Sequence, residues 1–281
     1  MSVDRSLTIT TAEVEQVGTI VEWAAAEGWN PGLSDAAVFH AADPGGFLIG
    51  SVGEEPVSAV SLVQYGPRFA FLGLYLVRPE WRGRGHGLAV WQAAVERAGT
   101  RTIGLDGVVE HQADYRRSGF VLARRNVRFG GVGGADAPDG LLPLGAVNRS
   151  QVVDFDAGVF PVRRQRFLRA WLTMPGAYGV AAVADGELSG YGVARPCLSG
   201  VKVGPLFADD ETTAEAIFRG LSSWAGNQPI FLDVPEPNAA ATRLAERHGL
   251  TPVFETARMY AGSAPSEPVH RIYGVTTFEL G

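Results

Sequence analysis

An apolar run, FAFLGLYLV (69–77), breaks at the step Val77-Arg78-Pro79. It opens into Arg82 and then glycines at 83, 85 and 87, before LAVWQAAVERAG (88–99) resumes with helical spacing. A strand that turns through glycines into a helix start presents unpaired backbone N–H groups to an anion, and the helix dipole adds to the attraction. Glycine removes the Cβ atoms that would hold a phosphate away. Arg82 and Arg84 can add charge and bidentate hydrogen bonds. Residues 82–87 therefore read as a phosphate cradle inside a strand–turn–helix unit.

Other architectures fit this stretch poorly. A Rossmann dinucleotide site needs G-x-G-x-x-G directly after the first strand, with an acidic residue about 20 positions on. Here Pro79 and Arg82 intervene, the third glycine comes early, and earlier strands precede it. A Walker loop needs Gly-Lys-Ser/Thr, which is absent. At 281 residues, 46% apolar and 19% charged, the chain has the composition of a globular protein with room for two domains. Its apolar runs are shorter than a membrane span, so no membrane partner is expected. The first residues lack a basic segment followed by an apolar core, and a cytoplasmic location is expected. Cys197 is the single cysteine, which excludes an internal disulfide and fits a reducing compartment. The five histidines, at 40, 86, 111, 248 and 270, form no H-x-x-x-H pair, and no metal is expected. A net charge of −6 argues against nucleic acid as a partner.

The order of elements repeats. The first half, 1–130, alternates strands and helices. Residues 131–149 carry the Gly/Ala/Asp/Pro-rich segment that reads as a linker. A second half, 150–281, runs through a helix at 162–176, a hairpin about Asp185-Gly186-Glu187, and then strands and helices in the same order, with a last strand at 271–281. Local echoes support duplication: LDGV (105–108) with LDVP (232–235), Gly119-Phe120 with Gly249-Leu250, and LARRNVRFGG (122–131) with FETARMYAG (254–262). The echo fails at one place. Val77-x-Pro79 matches Val203-x-Pro205, but LFADDETT follows instead of the glycine loop. Asp209, Asp210 and Glu211 suit a helix N-terminus and repel a pyrophosphate. Only the first half should bind a phosphorylated cofactor.

The residues Val77, Pro79, Arg82, Gly85 and Gly87 fill V-x-P-x-x-[QR]-x-x-G-x-[GA], the cofactor motif of the GNAT acyltransferase superfamily, and Tyr115 with Gly119-Phe120 resembles its second landmark. The chain looks like a bacterial tandem-GNAT protein whose second module has degenerated; EGWNPG (27–32) and IYGVTTFELG (272–281) are similar to that subgroup. The resemblance implies an α/β (α+β) fold of two tandem modules, each a mixed, mainly antiparallel twisted sheet flanked by helices.

It also implies acetyl-coenzyme A (acetyl-CoA) as co-substrate, no metal, and transfer of an acetyl group to a primary amine of a small molecule by direct attack in a ternary complex. The alternative is a non-catalytic acyl-CoA sensor or scaffold; a nucleotide-dependent oxidoreductase is a third class. A monomer or homodimer is expected. Arg82, Gly83, Arg84, Gly85, His86 and Gly87 would take the pyrophosphate, and Leu76 and Val77 the pantetheine arm and thioester carbonyl. Tyr115 is the expected acid. Asp106, Glu110 and His111 are candidates for the base, with Glu22 and the end of the chain at Gly281 as further options. For the acceptor, Trp23 and Trp29 offer aromatic faces, and Asn30 and Asp35 polar handles. Arg163, Arg164 and Phe167 would join them if the second module closes over the cleft.

Overall fold

The computed structural model describes residues 6–281. The first half runs β1 (Leu7–Thr11), α1 (Val14–Ala26), α2 (Asp35–Ala42), β2 (Phe47–Val52), β3 (Glu55–Tyr65), β4 (Phe69–Val77), α3 (His86–Ala98), β5 (Thr102–Val108), α4 (Gln112–Arg117) and β6 (Val121–Val132). The second runs β7 (Leu142–Pro143), α5 (Arg149–Ala157), α6 (Gln165–Trp171), β8 (Tyr178–Ala184), β9 (Glu187–Pro196), β10 (Val201–Ala208), α7 (Glu211–Ala225), β11 (Pro229–Pro235), α8 (Ala239–Arg247), β12 (Thr251–Ala261) and β13 (Ile272–Gly274). Up to β12, the second half repeats the first element for element.

Local chemistry accounts for the boundaries. Helix α1 starts at a capping box, in which the Glu13 amide donates to Gln16 Oε1 at 2.9 Å, and it buries Val17, Ile20 and Ala24 at helical spacing. Helix α7 starts at Asp210, whose Oδ1 accepts from the Thr213 amide at 2.8 Å. Strands β2 and β3 meet at a tight turn whose Gly53 has φ +60°.

The elements differ from those expected in three places. A helix precedes α6 in the second half: α5, capped by Asn148 accepting from the Ser150 amide at 3.0 Å. The helix expected over 162–176 is helical only over Gln165–Trp171. The last strand is only Ile272–Gly274, and the residues after it form a buried tail.

All strands belong to one sheet, ordered β1-β2-β3-β4-β5-β12-β6-β11-β10-β9-β8-β7, with β13 beside β10. The order shows an exchange. Strand β12 of the second half pairs with β5 of the first, and β6 of the first pairs with β11 of the second. The two exchanged strands pair antiparallel at the centre. Buried ion pairs mark both exchange contacts. Arg258 on β12 lies opposite Asp106 on β5, and Arg128 on β6 lies opposite Asp233 on β11. The LD-containing echo and the arginine-bearing echo are the two sides of these pairs.

On one face a single core joins both halves, where Phe39, Phe71, Phe167, Trp171, Tyr191 and Phe278 pack together. On the other face each half keeps its own helices, α3 in one cluster and α7 with α8 in the other.

Candidate active site

The site lies where β4 and β5 part. Their parallel pairing runs from Phe69–Thr102 to Leu72–Leu105 and stops. Just beyond, β4 bulges against β3, with a register shift and Leu74 at φ +44°. The strands diverge, and a cavity of about 600 Å³ opens between Gly73–Val77 and Asp106–Val108.

At its mouth stands the N-terminus of α3. Gly85 caps it in the left-handed region (φ +85°), no side chain satisfies its first amides, and its first turn holds no acid. Gly83 is also left-handed, at φ +75°, and a Cβ on either glycine would meet open space. Gly87 is glycine for another reason: a Cβ there would lie 2.7 Å from Tyr75 Oη. The turn thus presents bare backbone at the mouth of the cavity. Arg82 and Arg84, expected as anion ligands, each have a protein partner, and Arg82 also lines the cavity. Arg82 Nε donates to the Val77 carbonyl at 3.0 Å and its guanidinium pairs with Glu27 at the end of α1. Arg84 lies 4.7 Å from the Trp81 ring centroid, and His86 packs against the same ring. Leu76 and Val77 line the cavity.

Tyr115 also lines it. Its ring stacks on Trp91 at 5.6 Å and fills the space a Cβ on Gly107 would occupy. Its hydroxyl has no hydrogen-bond partner among the described residues. Burial pushes that hydroxyl well above its ordinary value, so it is protonated at neutral pH. Tyr75, which sequence reasoning passed over, lines the same cavity and is raised for the same reason.

The expected bases divide. Asp106 lines the cavity, but Arg258 holds it bidentately at 2.8 and 2.6 Å and Asn126 Nδ2 donates to it at 2.7 Å. Burial pushes its carboxyl above the ordinary value and Arg258 pulls the other way. Glu110 and His111 are exposed at the rim, His111 Nδ1 lying 3.4 Å from Asp114. Glu22 is exposed on α1 and lies outside the cavity lining.

Of the expected acceptor residues, Trp29 alone reaches the cavity. Trp23 packs on the shared core. Asn30 exchanges two hydrogen bonds with the Ser199 backbone, at 2.9 and 2.8 Å. Asp35, fully buried, accepts from Arg195 Nε at 2.9 Å and the Gly32 amide at 2.7 Å. Both tie the first half to the second. Arg163, Arg164 and Phe167 border a separate cavity of about 190 Å³. Arg164 is buried there, bonded to Asp156, Thr276 and the Gly281 carbonyl.

The second half does reach the cavity, through other residues: Phe254 and Thr256 of β12, and Phe278 and Glu279 of the tail. Arg128 of the exchanged β6 joins them, with its guanidinium 4.8 Å from the Phe278 ring centroid. Glu27 lines it from the first half. The tail's course explains its part. In the second half β10 and β11 also pair in parallel and then part. There β13 fills the wedge, pairing with β10, while the Val275 amide donates to the Asp233 carbonyl at 2.8 Å. The chain then crosses to the first wedge, where a Cβ on Gly73 would lie 2.1 Å from the Glu279 carbonyl oxygen. With Asp210 capping α7 and Glu211 in its first turn, the second wedge is closed to an anionic cofactor. No cluster of metal ligands occurs among the described residues, and no helix among them is long and apolar enough to cross a membrane.

Two strand–helix modules joined in one sheet, with one open wedge beneath a bare helix N-terminus, define a tandem acyltransferase scaffold. The model of the Acetyltransferase (GNAT) family matches residues 14–120, and that of an Acetyltransferase (GNAT) domain matches 152–274. The chain is 32% identical over 274 residues to the holothin acyltransferase of Pseudoalteromonas sp. (strain SANK 73390), covering 96% of this chain and 93% of that one. It belongs to the GNAT acyltransferase family and carries the GNAT fold twice. A solved structure from Pyrococcus horikoshii, named only provisionally as an acetyltransferase, superposes with a TM-score of 0.83 at 25% identity, over 98% of this chain and 96% of that one. A tandem GNAT protein from the clavulanic acid biosynthesis pathway matches in fold, with a TM-score of 0.64 at 18% identity, over 93% and 100% of the two chains.

Proposed function

We propose that this acyltransferase moves an acetyl group from acetyl-CoA to a primary amine of a small molecule, in a ternary complex in the first module. One observation carries the reading: of two equivalent wedges, the first is open under uncapped helix amides and the second is filled by the chain's own tail. The residues present fit the cofactor, because the loop 83–87 offers backbone donors without Cβ obstruction and no carboxylate in the α3 first turn. The relative's name, holothin acyltransferase, adds support for a small-molecule acceptor.

Coenzyme A would supply the acyl group as a thioester. The freed edge of β4 at Leu76 and Val77 would orient the acyl carbonyl and offer a backbone N–H to the charge that develops on its oxygen. Tyr115 holds a proton at Oη, facing the cavity, for the leaving sulfur. Asp106 positions β12 through Arg258. An aliphatic acceptor is an ammonium at neutral pH, with a pKa of about 10.4, so the site must also accept a proton.

Purified protein, acetyl-CoA and a panel of small primary amines, assayed for thiol release, test the reading. Amine-dependent thiol release with formation of the acetamide is expected. Coenzyme A binding without thiol release for any amine would instead mark the chain as a non-catalytic sensor.

A further inference from the structure

The cavity holds two buried carboxylates, Asp106 and Glu279, and they are held differently. Both oxygens of Asp106 are engaged by Arg258, and one also by Asn126. Glu279 is 6% exposed. Its Oε2 accepts from the Thr277 hydroxyl, two residues away on the same tail, and no cation lies within ion-pair distance of it among the described residues. Oε1 has no hydrogen-bond partner among the described residues and is not sealed off from solvent, and the side chain lines the cavity. The backbone of Glu279 meets β4 at Gly73, the residue at which β4 and β5 begin to part.

Building on the acetyl-transfer reading, we propose that Glu279 is the catalytic base of the first module. The tail of the second module carries it in, with Phe278 and Phe254 beside it as an apolar floor for the acceptor. The acceptor enters as an ammonium, and Glu279 Oε1 takes one of its protons and passes it to solvent. The freed amine forms its bond to the acyl carbon as the carbon–sulfur bond breaks; the nitrogen's second proton passes to Glu279 Oε1, and the sulfur takes the proton of Tyr115. Solvent then carries the proton from Glu279 back to the Tyr115 oxygen, leaving amide and free thiol.

The surroundings keep this carboxylate ionised. Charged groups face it from three strands: Lys202 on β10, Arg195 on β9 with its partner Asp35, and Arg128 on β6 with its partner Asp233. Burial pushes the Glu279 carboxyl up, but Lys202, Arg195, the bond from Thr277 and Arg128 together hold the group below the ordinary carboxylate value. Lys202 is itself held below the ordinary lysine value, burial being the main cause.

The test compares wild-type protein with Glu279→Gln and Glu279→Asp, using thiol release with the best amine of the panel, calorimetric binding of coenzyme A, and a thermal melt. Glu279→Gln keeps the shape and the bond from Thr277. It should lower kcat about 10²-fold with coenzyme A affinity unchanged. Its deficit should shrink as pH rises, because free amine then forms without the enzyme's help. Glu279→Asp keeps the charge but withdraws it by one methylene, and should retain more activity than the glutamine variant. If the glutamine variant fails to fold, the aspartate variant decides: a reduced kcat with unchanged cofactor affinity supports the base, and wild-type kcat overturns it. Wild-type kcat in Glu279→Gln, or a deficit independent of pH, also overturns it. Absence of turnover in the wild type with every amine removes the acetyl-transfer reading itself, and the base with it.

Discussion

Gly85 shows how much one backbone angle decides. At φ +85° it starts α3 without a side-chain cap, leaving the first amides free for a ligand. The equivalent helix of the second module is closed by Asp210. Gly85→Asp should transfer that closure: aspartate tolerates the left-handed region better than most residues, and its charge would occupy the cradle. Coenzyme A affinity should drop at least tenfold by calorimetry, with the melting temperature little changed. Tyr115→Phe keeps the stack on Trp91 and removes only the hydroxyl, so kcat should fall about 10²-fold at unchanged coenzyme A affinity. Equal turnover of Tyr115→Phe and wild type would move the acid role to Tyr75. The loop and Tyr115 were legible in sequence because each is a local pattern with a fixed spacing. Asn30 and Asp35 were misplaced because a polar residue near a cleft-forming loop looks the same whether it faces a ligand or a distant strand. Their partners, Ser199 and Arg195, lie more than 150 residues along the chain.

Among the elements, the two wedges explain why the cavity between diverging parallel strands lies in the first module. Divergence of parallel strands is common to both, and what differs is the tail that fills the second. Gly73 is where this tail meets the first wedge. Gly73→Ala would set a Cβ 2.1 Å from a backbone carbonyl, which only a shift of the tail can relieve. The expected cost is about 1–3 kcal/mol, read as a lower melting temperature. Turnover should fall further than coenzyme A affinity, since the tail carries Phe278 and Glu279 whereas the cradle lies at α3. Periodicity located nearly every strand and helix. It could not separate an eleven-residue strand at 271–281 from a three-residue strand followed by a buried tail, because both are apolar and alternate.

At the scale of the molecule, the exchange of β6 and β12 makes two modules into one sheet with a shared core. The duplicated order was legible in the echoes, but the exchange was not. An antiparallel last strand satisfies the same hydrophobic pattern beside either module's fifth strand, and sequence period carries no information on which it chooses. Buried charge at the seam completes the choice. Glu267 joins Arg124 of β6 to Arg258 of β12, and Tyr260 Oη donates to it at 2.7 Å. Burial pushes the Glu267 carboxyl up, yet Arg258 and Arg124 outweigh it and hold it below the ordinary carboxylate value. A carboxyl depressed by folding stabilises the protein above its unfolded value, about 4.3, and that contribution is lost as pH falls through the lower, folded value. Asp106, raised by burial, works in the opposite sense and favours the folded state as it takes up its proton. Glu279, depressed in the same way, also loses its contribution as pH falls below 5, so Glu267 accounts for one share of the acid loss and Asp106 for none of it. Glu267→Gln leaves two arginines short of an anion and should cost about 3–5 kcal/mol at pH 7. Its remaining stability should decline less steeply on acidification than that of the wild type. Because the seam belongs to both modules, denaturant unfolding followed at several pH values should give one transition for the whole chain. Two separate transitions, or parallel pH slopes for variant and wild type, would show that the seam does not couple the modules.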